Sequence, residues 1–166
     1  MGLDMYLYRK TYVKNWDHMK EEDLHQISVN LAKKKHPHID VTKISEITES
    51  VGYWRKANAI HKWFVDNCQN GVDECQESYV SWENLEELLN ICKQIIEDPK
   101  KSEDLLPTQQ GFFFGGSAYD EWYLQSIQST IEILEPLVKY NQQLTADREA
   151  GKSIRVSPEF AYRSSW

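Results

Sequence analysis

Arg55, Asn58 and His61 lie close together in the segment 53–65, which also contains two tryptophans. A guanidinium can bind a phosphate or a carboxylate through two parallel hydrogen bonds, and both a carboxamide and an imidazole can donate and accept. A tryptophan ring adds a flat face on which a base or another planar group can stack. These residue types together indicate a site for a small anionic ligand that carries a planar ring.

A helix over 53–68 would position these groups. With 3.6 residues per turn, Trp54, Asn58 and His61 fall on one stripe of that helix, beside a mostly apolar stripe. The alternative is that the tryptophans anchor the core, while Asn58 and His61 satisfy buried backbone groups. Metal binding by His61 is not indicated, because no second ligand lies three or four residues away.

The segment 112–123 is a second candidate. Gly115 and Gly116 precede an expected helix start, where backbone N–H groups can bind an anion. The segment lacks the Lys-Ser/Thr ending of a phosphate-binding loop and the three-glycine dinucleotide fingerprint. We therefore expect it to contribute an aromatic wall, formed by Phe113, Trp122 and Tyr123.

The predicted site combines charge, hydrogen bonding and stacking, and its function would be non-enzymatic binding of a nucleotide-like anion. No catalytic residue, metal ligand or cofactor is assigned. An enzymatic alternative is a hydrolase that uses His61 with Asp120 or Glu121. The predicted ligand-binding residues are Trp54, Arg55, Lys56, Asn58, His61, Trp122 and Tyr123.

Four strands are predicted from alternating or β-prone sequence. The clearest alternation is at the N-terminus, where Leu3, Met5 and Leu7 alternate with polar or amphipathic residues. The segment 41–51 fits both a helical stripe and a strand, and we favour a strand. The other two predicted strands are the glycine-bounded aromatic run 111–116 and the segment 160–163.

Helices are predicted where apolar residues recur every three or four positions. Two of these elements have clear boundaries: one begins after the N-cap Ser81 and ends before Pro99, and one follows Ser117, which pairs with Asp120 as a capping box. Pro136 should kink or restart the latter helix. With the predicted helices 21–35 and 53–68, the fold class is α+β, a small and mainly antiparallel sheet with several packed amphipathic helices.

The composition and net charge restrict the kinds of partner that the protein is expected to bind. The 166 residues are expected to form a single domain, 1–166, with a net charge of -7 and a pI near 5.2, which makes nucleic acid an unfavourable partner. No apolar run is long enough to cross a membrane. Three unpaired cysteines favour the cytoplasm. Homo-oligomerisation is left open, as is a protein-binding role for the acidic helix face formed by Glu83, Glu86 and Glu87.

Four motifs along the whole chain resemble a family of small bacteriophage and prophage proteins of unassigned function. They are the opening MGLDMYL, the central YWRKANAIHKWFV, the later FFFGG with YDEWY, and the closing SSW. The resemblance implies a phage accessory protein in the cytoplasm of an infected or lysogenic bacterium. It also implies a role in evading host defence, either by sequestering a signal molecule or by inhibiting a host protein. It assigns no catalytic residue.

Overall fold

The computed structural model describes residues 2–111, 114–152 and 157–166, and it shows an α+β fold. One face of a four-stranded antiparallel sheet is covered by helices, and a separate two-stranded hairpin lies outside that sheet. The strands are β1 (Asp4–Tyr12), β2 (Asn30–Leu31), β3 (Lys34–Lys35), β4 (Glu46–Arg55), β5 (Ser78–Val80) and β6 (Glu159–Ser165), and the helices are α1 (Asn58–Cys68), α2 (Trp82–Glu97), α3 (Ser102–Leu105) and α4 (Glu121–Glu149).

The main sheet has the strand order β4-β1-β6-β5, so the N-terminal and C-terminal strands are its central pair. In β1, Met5 and Leu7 point into the core, whereas Tyr6 and Tyr8 lie half-buried on the opposite face. This is the alternation expected of a strand with one solvated face. The predicted N-terminal and C-terminal strands are confirmed.

The helical layer packs against the inner face of the sheet. Helices α2 and α4 pack against each other, and α1 contacts α2, β5 and β6. Burial of apolar side chains from all these elements in one cluster is the main stabilising contribution to the fold. The largest fully buried side chains include Tyr162, Phe64, Phe160, Leu3, Ile60, Leu85, Leu88, Ile95 and Ile127.

Helix α2 begins as predicted. The Ser81 hydroxyl accepts the Asn84 backbone N–H at 3.1 Å, and the Asn84 side chain accepts the Ser81 N–H at 3.1 Å. This reciprocal capping satisfies two donors that the first helical turn leaves without partners. The helix ends at Glu97, ahead of Pro99, as predicted.

Replacing Ser81 with alanine should lower the free energy of unfolding by about 1 kcal/mol, the usual effect of losing an N-cap. Urea denaturation of both proteins measures the difference. Ser117→Ala is the matched control, because Ser117 is exposed and the cap of α4 is Asp120, whose side chain accepts the Tyr123 N–H. Equal losses in the two variants would contradict this assignment of the caps.

The predicted helix over 21–35 is wrong. The structure has a single 3-10 turn, Glu21–Asp23, followed by an irregular stretch and the β2–β3 hairpin. The hairpin turn places Ala32 and Lys33 at φ values of 48° and 65°. The apolar period did not produce a helix because this segment has no core to pack against, and Leu31 remains 58% exposed.

Four other boundaries differ from the predictions. Strand β4 begins at Glu46 after the 3-10 turn Val41–Lys43 and continues through Arg55, so α1 starts only at Asn58. Helix α4 begins at Glu121 and runs past Pro136 without a break. Of the predicted aromatic strand over 111–116, Phe112 and Phe113 lie outside the described residues, and the others are not in a strand. No helix in the described ranges has the length and apolar character needed to cross a membrane.

Candidate ligand-binding cleft

A cleft of about 550 Å³ lies where the β4–α1 junction faces residues 108 and 115–118 and the first turns of α4. Clefts of this size are typical of small-molecule sites. The residues that line it come from three segments distant in sequence: Arg55, Lys56, Ala57, Asn58 and Ala59, then Thr108, Gly115, Gly116, Ala118 and Asp120, and then Trp122, Tyr123, Gln125, Ser126 and Ser129.

The β4–α1 junction has an unusual backbone conformation. Lys56 has φ 57°, a left-handed value that few non-glycine residues adopt, and such strain is concentrated at functional sites. The Asn58 N–H donates to the Lys56 carbonyl at 3.0 Å, which closes a tight turn around Ala57. The chain therefore changes from strand to helix within two residues and presents Arg55 and Lys56 at the rim of the cleft.

The first turn of α1 also faces the cleft. Its N-cap residue, Ala57, has no side chain that could accept a hydrogen bond. The N–H of Ala59, a lining residue, has no hydrogen-bond partner among the described residues. The positive end of the helix dipole is thus left open at the same wall as the two cations.

Two glycines flank the Lys56 side chain. A Cβ added at Gly2 would lie 3.1 Å from the Lys56 Cε, and one added at Gly115 would lie 3.2 Å from the Lys56 Cβ. Gly115 also has φ 86°, where a side chain would be strained. The two glycines therefore leave room for the lysine stem, which a side chain at either position would crowd.

Arg55 and Lys56 are exposed and make no ion pair or hydrogen bond through their side chains to another described residue. Several other cations of the sheet and helices are paired: Arg9 with Glu49, and Lys62 with Asp66. Arg55 and Lys56 are the only cations among the residues that line the cleft, and one carboxylate, that of Asp120, lines it with them.

Asn58 lines the cleft, but its carboxamide is already engaged. Its Nδ2 donates to the carbonyls of Phe114 at 3.1 Å and Gly116 at 2.7 Å, and its Oδ1 accepts the Gln109 N–H at 3.0 Å. These three hydrogen bonds fasten Gln109, Phe114 and Gly116 to the start of α1. Asn58 thus shapes the cleft instead of offering free groups to a ligand.

The two aromatic residues at the start of α4 differ in their environments. Trp122 is 78% exposed at the wall of the cleft, so its indole face is open to a planar group. Tyr123 is buried and donates its hydroxyl to the Leu106 carbonyl at 2.9 Å. Burial raises the pKa of the Tyr123 hydroxyl to about 12. Trp122 is therefore the stacking surface, and Tyr123 forms the floor beside it.

Trp54 and His61 do not line the cleft, so the structure does not bring all seven predicted residues together. Trp54 is buried, and its Nε1–H donates to the Thr130 hydroxyl at 2.9 Å. It lies in β4, not on the helix that carries Asn58 and His61. The core-anchor interpretation of this tryptophan fits its environment.

His61 is fully buried at a different place, between Asp73 and Tyr162. Its Nε2 lies 2.9 Å from the Asp73 Oδ2, and its Nδ1 lies 2.8 Å from the Tyr162 hydroxyl oxygen. A carboxylate only accepts, so Nε2–H donates to Asp73, and in the neutral tautomer with that N–H the Nδ1 atom accepts the Tyr162 hydroxyl. Burial, then the Asp73 charge, raises the pKa of Tyr162, which keeps that hydroxyl protonated as a donor.

This cluster connects three parts of the chain, namely α1, the loop before β5, and β6. The Trp166 indole N–H also donates to the Asp73 Oδ1 at 3.2 Å. Sequence reasoning missed Asp73, since no periodicity or spacing relates it to His61. Both His61 nitrogens are occupied by Asp73 and Tyr162, so neither bonds to Asp120 or Glu121 as the hydrolase alternative required.

Comparisons with known proteins do not extend this description. No family model matches the chain, and neither does any curated protein or solved structure.

Proposed function

We propose that this chain is a non-enzymatic binding protein whose cleft holds a small anionic, nucleotide-like ligand. One observation carries the proposal: the cleft places two unpaired cations and an exposed tryptophan around one cavity of ligand size. Arg55 and Lys56 supply charge for the anion, and the open first turn of α1 adds the Ala59 N–H. Trp122 supplies the face for a planar ring.

The resemblance to small phage proteins motivates the wider role that we propose, sequestration of a nucleotide signal used in host defence. A sequestering protein needs a preformed pocket with a few fixed polar groups and no catalytic machinery. Nucleotide recovered after denaturing the complex should have an unchanged mass. Formation of a product would instead show that the protein is an enzyme.

The second prediction is that the protein binds a host protein through the acidic face of α2. Glu83 and Glu87 are exposed on α2 and Glu86 is partly exposed, so this acidic face is accessible in the described structure. Charge reversal at these three positions should weaken such a complex, and so should raised salt.

A calorimetric screen of nucleoside phosphates, cyclic nucleotides and ADP-ribose derivatives tests the proposed function. For any ligand that binds, the double variant Arg55→Gln with Lys56→Gln should raise the dissociation constant by about a hundredfold, since two charge-assisted contacts are lost. The control is Lys62→Gln, which removes one positive charge from the same helix region but outside the cleft.

The control should bind within about twofold of the unmodified protein, because its charge is exposed and lies outside the cleft. Equal weakening by the control would mean that only net charge matters. If no member of the screen binds to the folded protein, the proposed function is wrong.

A further inference from the structure

Asp120 and Gln125 also line the cleft, although the proposed contacts to an anion and a ring leave them unused. They lie on the same part of α4 as Trp122. Helix residues three or four apart share a face, so Trp122, Gln125 and Ser129 form one stripe, and this stripe is a wall of the cleft. Gln125 and Ser129 therefore place polar side chains on the same wall of the cleft as the Trp122 indole.

Asp120 has one carboxylate oxygen available. Its Oδ1 caps α4 by accepting the Tyr123 N–H at 3.1 Å, and its Oδ2 has no hydrogen-bond partner among the described residues. A carboxylate repels a phosphate, so the part of the ligand that it contacts must offer hydrogen-bond donors instead. The hydroxyl groups of a ribose are such donors, and acidic side chains bind them in dinucleotide sites.

Gln125 is exposed, and its carboxamide has no hydrogen bond to another described residue. It follows Trp122 by three residues, about 4.5 Å along the helix axis. A carboxamide presents a donor beside an acceptor, which complements the N6 amino group and N7 of adenine. A base stacked on the indole would therefore have its edge within the range of this side chain.

The charge balance limits the number of phosphates. Among the residues that line the cleft, Arg55 and Lys56 are the only cations. With the Asp120 carboxylate in the same lining, the net charge of the lining residues is +1, which favours a ligand with one phosphate group over a ligand with two or three. Each additional phosphate would add negative charge without another lining cation, in a protein whose net charge is already -7.

We propose that the ligand of this cleft is an adenine ribonucleoside monophosphate. Its phosphate lies at Arg55 and Lys56, its ribose hydroxyls donate to Asp120, and its base stacks on Trp122 with one edge toward Gln125. This assignment rests on the proposed function and narrows it to one class of nucleotide.

Calorimetry with AMP, 2′-deoxy-AMP, GMP and ATP tests the assignment. AMP should bind about tenfold more tightly than each of the other three, the factor expected from one well-placed hydrogen bond or one uncompensated charge. Asp120→Asn should reduce the preference for AMP over 2′-deoxy-AMP to within about twofold. Asparagine caps a helix as well as aspartate does, so α4 should stay folded.

Glu121→Gln is the control, because it removes the same charge one residue further along and Glu121 does not line the cleft. It should leave the ribose preference unchanged. Gln125→Ala should abolish the preference for AMP over GMP, whereas Gln128→Ala, at a position that does not line the cleft, should keep it.

The outcomes separate this inference from the proposed function. If 2′-deoxy-AMP or ATP binds as tightly as AMP, the cleft binds nucleotides but the assignment is wrong. If GMP binds as tightly as AMP, the role of Gln125 is wrong, and the adenine assignment fails with it. If neither AMP nor any other nucleotide binds to the folded protein, both proposals fail.

Discussion

Replacing His61 with alanine is expected to lower the free energy of unfolding by about 4 kcal/mol. The change leaves a cavity where a fully buried imidazole was, and it removes the hydrogen-bond partner of both Asp73 and Tyr162. Because Asp73 is largely shielded and also joins Trp166, the loss should loosen the contact between α1 and β6. Urea denaturation followed by tryptophan fluorescence measures the difference.

His38→Ala is the matched control for His61, since His38 lies on an exposed loop. Its effect on stability should stay within about 0.5 kcal/mol. A loss below about 1 kcal/mol in His61→Ala would contradict a structural role for the buried cluster. Near-native stability combined with abolished nucleotide binding would place His61 back in the ligand site.

Replacing Asn58 with alanine is expected to have the second largest effect, a loss of about 3 kcal/mol. It removes three hydrogen bonds at once and leaves the Gln109 N–H and the carbonyls of Phe114 and Gly116 without their protein partner. The same bonds hold Gln109, Phe114 and Gly116 against α1, beside residues 108, 115, 116 and 118 that line the cleft. The variant should therefore lose nucleotide affinity as well as stability, although its carboxamide contacts no ligand.

Asn67→Ala is the control for Asn58, because the Asn67 side chain makes one local hydrogen bond, to the Trp63 carbonyl. It should cost less than about 1 kcal/mol and leave binding intact. Asn58→Asp separates the two roles further, since it retains the acceptor for Gln109 and loses both donors. If Asn58→Ala weakens binding without any loss of stability, the carboxamide contacts the ligand directly.

The amphipathic pattern and the N-cap signal predicted α2 well, because local signals decide where this helix begins, whereas the predicted capping box at Ser117 was wrong, since Asp120 caps α4. Ser81 is followed by an apolar stripe that packs into the core, and Asp120 precedes Trp122 and Tyr123 at the start of α4. The predicted aromatic contribution of Trp122 and Tyr123 to a shared surface agrees with their position at the cleft.

The segment from Tyr53 onward was misjudged because long-range pairing overrides its helical period. Tyr53, Trp54 and Arg55 pair with Tyr6, Met5 and Asp4 of β1, which extends β4 to the edge of the cleft. As a result, Trp54 points into the core, and Arg55 reaches the rim from a strand. No single-sequence pattern contains the information about that pairing.

The environment of His61 could not be predicted from the sequence either. Tyr162 was placed in the predicted final strand, but Asp73 lies in an irregular loop whose composition resembles that of any turn. Tyr162 and Asp73 both reach His61 only because β6 lies at the centre of the sheet and the loop before β5 folds against α1. A lone histidine on a partly apolar helix face was compatible with a ligand site and with a buried network, and only the fold distinguishes them.

The most direct measurement of the central claim is an NMR titration of the protein with AMP, following backbone amides and indole N–H groups. We predict that the largest shifts occur at the Ala59 amide and the Trp122 indole, because both residues line the cleft. The indoles of Trp54 and Trp82, outside the cleft, should move least. Shifts centred away from the cleft, or a spectrum unchanged at millimolar AMP, would contradict the claim that this cleft binds a nucleotide.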